Sequence, residues 1–258
     1  MQLVRVLAIL QARVSSTRLP RKVLLPLLGE PMLARQIERI RRAQRIDKLI
    51  VATSSDPSDD PLEALCSQIG VECYRGSLND VLDRFAQAAM LDRPDHVVRL
   101  TGDCPLTDPQ LIDRVIVRHL SSGADYTSNV APPSFPDGLD VEVMRLTALE
   151  AAHQEAALQS EREHVTQYLV KHPDFFMHAS VCSEVDLSHL RWTVDEPDDL
   201  QLVERVYAAL YPANPAFGMQ DVLRLLDEQP ELITFNTAHQ RNEGLAISIA
   251  RDEAPLRE

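Results

Sequence analysis

The sequence holds no uninterrupted apolar run of about 18 residues, so none of its segments reads as a membrane-spanning helix. Its opening, MQLVRVLAILQAR, has too short an apolar stretch for a leader peptide and reads better as a β-strand. Cysteine is scarce. Cys66, Cys73, Cys104 and Cys182 form no CxxC pair and no zinc-ligand spacing, which points to a reduced, cytoplasmic protein without a disulfide framework. There is no internal repeat and no low-complexity tract. Excess positive charge is also missing. The net charge of −13 over 258 residues excludes a broad electrostatic surface for nucleic acid, although it leaves local anion sites open.

What is present is ordinary globular material, 45% apolar and 25% charged, in a chain long enough for one α/β domain spanning 1–258. Leu3 to Leu10 is almost continuously apolar, as in a strand buried on both faces of a parallel sheet. Pro31 opens a helix with Leu33, Ile37 and Ile40 on one face. Further strands are expected at Lys48 to Thr53, Val71 to Tyr74 and His96 to Leu100. Helices are expected near Leu62 to Ile69, after a cap at Asn79 or Ser77, and from Asp108-Pro109. This rhythm predicts an open, doubly wound, mostly parallel sheet. Beyond residue 125, Leu139 to Met144 alternates like a strand with one solvated face. Helices are expected at 146–159 and 161–171, then a strand near 190–194 running into a helix from Pro197. The final fifteen residues read as loosely packed.

Chemistry is densest between Gln11 and Lys22. Arg13, Arg18, Arg21 and Lys22 stand with Ser15, Ser16 and Thr17 in twelve residues, and no carboxylate occurs between Met1 and Glu30. A loop at the carboxyl end of a parallel strand is where open α/β sheets bind ligands. Arg offers phosphate two-point hydrogen bonds and Lys a point charge. The glycines and GK[ST] ending of a Walker A loop are absent. A second feature is Asp103, in RLTGDCPL. A strand-end Asp can serve its own backbone in a turn or act as a hard oxygen ligand for Mg²⁺. A third is RWTVDEPDDL. Here Glu196, Asp198 and Asp199 suit a helix N-terminus, whereas Asp195 lies at the strand end.

QARVSSTRLPRKVLLPLLGEPML, RLTGDCPL and the D-x-P-x-D-L match at Asp195 together resemble the sugar-acid cytidylyltransferases. That family includes the CMP-KDO synthetases, the CMP-acylneuraminate synthetases and the SpsF-like spore-coat group, to which the likeness is greatest. The resemblance implies a nucleotide-diphospho-sugar transferase-like, Rossmann-like fold, with a small α+β dimerisation arm near 135–185. It implies a homodimer and transfer of CMP from CTP to a sugar acid, for surface polysaccharide synthesis. It places Arg13, Ser16, Arg18 and Lys22 on the phosphates, Gln11, Ala12 and Thr101 beside the base, and Asp103 and Asp195 on Mg²⁺. The segment YRGSLNDVLDR adds Arg75 and Gly76 to the nucleotide site. PDGLDVE and EREHVT add Asp140, Glu142, Arg162 and His164 to the acceptor site, although Arg162 and His164 taken alone suit a polar helix start. QRNEG, from Gln240 to Gly244, extends the likeness to the carboxyl end. The chain departs from the SpsF-like GSTRLPGK at Ser15 and Arg21, and Arg adopts φ > 0 only at a cost that Gly escapes.

Catalysis would rest on Arg13, Lys22, Asp103 and Asp195, with a metal-bound water or His164 as the general base. Rival readings keep the reaction with another acceptor or nucleotide, or replace it by glycosyl transfer or non-catalytic nucleotide binding. Thr101-Gly102-Asp103 lacks the first Asp of an Asp-x-Asp motif, and intact Lys22, Asp103 and Asp195 argue against a regulator.

Overall fold

The computed structural model describes residues 4–239, 241 and 243–253. Met1 to Leu3, where the first strand was expected to begin, and Gln240 and Asn242 of the carboxyl motif lie outside them. The strands are β1 (Val6–Gln11), β2 (Pro26–Leu27), β3 (Glu30–Pro31), β4 (Lys48–Ser54), β5 (Glu72–Gly76), β6 (His96–Thr101), β7 (Tyr126–Ser128), β8 (Glu142–Arg145) and β9 (His178–Ser180). The α-helices are α1 (Met32–Ile40), α2 (Asp60–Gln68), α3 (Val81–Asp92), α4 (Pro109–Ser122), α5 (Leu146–Glu155), α6 (Gln159–Glu163), α7 (Gln167–Lys171), α8 (Pro197–Leu210), α9 (Met219–Glu228) and α10 (Glu243–Glu253).

Seven strands form one sheet in the order β5-β4-β1-β6-β8-β7-β9. β5, β4, β1 and β6 run parallel, and β8 is antiparallel to both β6 and β7. The apolar run of β1 is shared between two cores because side chains alternate across a strand. Val6, Ala8 and Leu10 join Ile37, Ile112, Val203 and Val206 from α1, α4 and α8 on one face. Leu7 and Ile9 join Leu82, Phe85, Leu149 and Ala152 from α3 and α5 on the other. The fold is therefore an α/β sheet wound on both faces, as the strand–helix rhythm predicted.

Local chemistry sets the element ends. Asp108 accepts from the N–H groups of Gln110 and Leu111 at 2.8 and 3.0 Å, Pro109 fills the first turn of α4, and Gly123 closes it at φ 69°. The cap of α3 is Asp80, which accepts from Asp83 N–H at 2.9 Å, and neither Asn79 nor Ser77 takes that role. Ser77 instead accepts from Asp80 N–H at 3.0 Å, one turn earlier.

Four expectations change. The Leu139 to Met144 stretch has no solvated face: its apolar residues face the core, and Asp140 and Glu142 are matched by arginines on the opposite side. The 190–194 stretch is extended and buried, but it makes only an isolated bridge, Asp137 to Arg191, in place of a ladder. The helical stretches at 146–159 and 161–171 divide into α5, α6 and α7. Of the carboxyl-terminal residues, Glu243–Glu253 form α10, which packs on α6 instead of lying loose, while 254–258 lie outside the described residues. Within 135–185, β8 and β9 complete the main sheet. No helix among the described residues is long and apolar enough to cross a membrane.

Candidate active site

The carboxyl ends of β1 and β6 and the loops beyond them open onto a cleft of about 740 Å³. Its near wall is the basic loop after β1. Buried Asp59 anchors this loop, accepting from Val14 N–H at 2.6 Å and from the hydroxyl and N–H of Ser54. Gly102 brings the β6 turn against it. Gly102 N–H donates to Gln11 O at 2.8 Å, and a Cβ on Gly102 would stand 2.9 Å from that of Ala12. Arg21 adopts φ 60°, ψ 22°, the left-handed conformation that a Gly reaches without strain. Its carbonyl accepts from Leu24 N–H at 2.8 Å, starting a short 3₁₀ turn that swings Lys22 inward.

Lys22 is the centre of the site, with only 9% of its surface exposed. Its Nζ donates to Asp195 Oδ1 at 2.7 Å, Val194 O at 2.9 Å and Asp103 Oδ2 at 3.2 Å. Burial pulls the Lys22 pKa down, but the two carboxylates outweigh it and hold the ammonium above its usual range. Desolvation likewise lifts Asp103, yet Lys22 and the hydrogen bond from Thr101 prevail and depress it to about 2. Asp103, from the turn after β6, and Asp195, from the extended segment before α8, thus meet at one cation. Asp195 Oδ2 also meets Arg18 at 3.0 Å and Arg191 at 3.3 Å. Arg191 is itself fixed by Asp137 and Asp199. Arg18 continues to Glu196 and to Glu243 of α10, at 3.5 and 3.3 Å.

Gln11, Ala12, Arg13, Ser16, Arg18, Lys22, Thr101, Asp103, Asp140, Glu142, His164 and Asp195 all line this cleft. Arg75 does not. Its guanidinium ties β5 to the neighbouring loop through Ser54 O, Asp56 O, Asp60 and Glu63. Gly76 is absent from the lining too, and Tyr74 and Arg84 occupy the space its Cβ would need. Arg162 clamps α6 to the start of α3 through Asp80 and to α5 through His153 O, and does not line the cleft. Glu142 is in the wall, but Arg99, Tyr126 and Thr166 use its oxygens. Burial raises the Glu142 pKa, and these partners more than reverse that. His164 shares a hydrogen bond with Ser248 of α10 at 3.1 Å, and burial and Arg99 lower its pKa.

Asp59, Arg84, Arg99 and Arg191 are site residues that had no individual role in the sequence. Arg84 and Arg191 stood within the motif segments, and Arg99 was a cation inside the apolar strand HVVRLT. It reaches Gln11 Oε1 at 3.1 Å and Glu142. The others depend on long-range contacts.

A doubly wound sheet with a cation-rich loop at its strand ends, facing two carboxylates from separate segments, defines an α/β nucleotidyltransferase. The cytidylyltransferase profile matches residues 7–207. The chain is 33% identical over 241 residues to the spore coat polysaccharide biosynthesis protein SpsF of Bacillus subtilis, covering 89% of this chain and 97% of that one. A solved cytidylyltransferase from Leptospira borgpetersenii superposes with a TM-score of 0.85 at 30% identity, covering 90% of this chain and 97% of that one. CMP:2-keto-3-deoxy-manno-octonic acid synthetase, solved with CTP, shares the fold at TM-score 0.59 and 17% identity, over 79% of this chain and 98% of its own. The chain belongs to the cytidylyltransferase family.

Two predictions follow from this geometry. Arg21→Gly relieves the left-handed strain but frees the unfolded chain, so it should raise the unfolding free energy by about 0.5–1 kcal/mol in urea titration. A drop in stability would show that the conformation is unstrained. The second concerns Asp140, whose carboxyl burial pushes up to about 7 against the pull of Arg241. Its ionisation penalises the fold little near pH 4, increasingly towards pH 7, and fully above. Asp140→Asn should therefore gain stability relative to wild type between pH 4 and pH 8, and a flat difference would refute the shift.

Proposed function

We propose that this chain transfers CMP from CTP to a sugar acid and releases pyrophosphate, in surface polysaccharide synthesis. The observation that carries the reading is the pairing of Asp103 and Asp195 around one cation beside a loop rich in Arg and hydroxyl groups. In the reaction an acceptor oxygen attacks the α-phosphorus in line, and the bond to the bridging oxygen of the β-phosphate breaks. Arg13, Arg18 and Lys22 neutralise the departing phosphates. Gln11, Ala12 and Thr101 form the base side of the cleft, with Ser16 at the phosphates. Asp140 and His164 stand on the acceptor side.

Two hard carboxylates already sharing the Lys22 ammonium are a donor set that suits Mg²⁺. Asp103 and Asp195 would hold the ion, which when bound supplies positive charge at the α-phosphate. Among the residues named for the acceptor, His164, whose pKa is lowered, is the imidazole that can accept its proton. The placement of Arg75, Gly76, Arg162 and Glu142 favours supporting roles for them over direct ligand contact.

The working unit is proposed as a homodimer. The 135–185 segment ends in the edge strand β9, and Phe175 beside it is 80% exposed. The free state of all four cysteines supports a cytoplasmic location.

Pyrophosphate release, measured with Mg²⁺, each of four nucleoside triphosphates and a panel of sugar acids, tests the reading. CTP with one of the acids should give turnover, and silence across the whole panel would defeat it. Lys22→Ala should weaken CTP binding at least roughly tenfold more than CMP binding, as expected for a lost charge-assisted contact to the outer phosphates. Equal losses would remove Lys22 from those phosphates.

A further inference from the structure

Arg84 sits where the fold gives a cation little support. It is the fourth residue of α3, within the helix turn whose exposed N–H groups disfavour positive charge. Only 2% of its surface is exposed. One nitrogen donates to Ser77 O at 2.7 Å, while its enclosed Nε has no partner. Among the described residues no carboxylate forms an ion pair with it. The two acidic groups whose charge acts on it are committed elsewhere: Asp59 to Val14 and Ser54, and Asp80 to Arg162 and Asp83 N–H. The nearby charge of Arg13 adds repulsion, and together with burial it brings the Arg84 pKa down to about 10, still protonated at neutral pH. Both arginines line the cleft.

A buried, uncompensated guanidinium destabilises a fold, and replacing such a charge by an apolar group is often stabilising. Its retention in the wall of a ligand cleft needs a reason outside the folded chain. We propose that Arg84, with Arg13, forms an oxyanion site whose charge is matched only when ligand is bound. Its occupant is a phosphate of the nucleotide or the carboxylate of the acceptor acid, each of which offers a planar pair of oxygens to a guanidinium. The inference rests on the nucleotide-transfer reading, to which it adds a contact that sets affinity at the α3 side of the cleft.

The test combines stability with binding, using Arg84→Met and Arg84→Lys. In the ligand-free protein, Arg84→Met should melt no lower than wild type, and Arg84→Lys, which keeps the charge, should melt no higher than Arg84→Met. A marked fall in the melting temperature of Arg84→Met would mark Arg84 as a structural residue and overturn the proposal. In calorimetry with Mg²⁺, Arg84→Met should lose roughly tenfold to hundredfold in affinity for CTP, or for 2-keto-3-deoxy-manno-octonic acid in the presence of CMP. Arg84→Lys should recover part of the loss. A loss confined to CTP identifies the phosphate source, and one confined to the sugar acid identifies the carboxylate source. Binding of cytidine, which carries no phosphate, should be unchanged. An equal loss for cytidine, or unaltered affinity for both CTP and the sugar acid, would overturn the oxyanion site. If wild type itself binds neither CTP nor the sugar acid, the nucleotide-transfer reading and this site both fall, whereas wild-type binding with an unaffected Arg84→Met overturns this site alone.

Discussion

The Lys22 ammonium, Asp103, Asp195 and the carbonyl of Val194 draw three distant parts of the chain to one point. These parts are the loop after β1, the turn after β6 and the buried extended segment before α8, which Arg18 to Asp195 and Thr193 to Asp103 O link further. The Lys22 ammonium is largely buried, so it interacts strongly with its two carboxylates, and removing one partner would leave the others less compensated. Each neighbouring feature serves it. The left-handed Arg21 turns Lys22 inward, Asp59 anchors the loop at Val14, and Asp199 with Asn236 braces the Arg191 that touches Asp195. The same concentration of charge makes the place suitable for a metal-bound triphosphate, since a seat that holds one cation between two carboxylates is already built.

Around the cluster the cleft has two electrostatic sides. On the loop and α3 side, Arg13 and Arg84 lack carboxylate partners among the described residues. On the other side Asp137, Asp140 and Glu142 are closely matched by Arg191, Arg241 and Arg99. Paired charges of that kind rigidify a wall and fix hydrogen-bond directions, which suits recognition of a hydroxyl-rich acceptor. Unpaired cations instead leave free energy to be recovered from an anion. The asymmetry fits a site that takes a polyanion at one end and a polyol at the other.

The central sheet was legible because burial on both faces writes an apolar run, continuous in β1 and β4 and broken only by Arg99 in β6. Three-residue β7 and β9 left no such mark; their pairing is decided by the neighbouring strand. The 190–194 segment has the burial of a strand without a ladder, since its backbone groups are taken by Asp103 O and Asp137 O. At the site, Lys22, Asp103 and Asp195 could be named from local motifs, but their meeting could not. Arg75 and Arg162 were placed at ligands on the same motif grounds, and tertiary contacts use them as clamps. α10 was unreadable for the same reason: its packing depends on α6, far away in the chain.

The most direct measurement of the central claim is the Mg²⁺ dependence of CTP binding, by calorimetry, in wild type and in Asp103→Asn/Asp195→Asn. If the two carboxylates are a cation seat for the triphosphate, Mg²⁺ should strengthen CTP binding at least roughly tenfold in wild type, and this gain should vanish in the double variant. An equal gain from Mg²⁺ in both proteins would contradict the account.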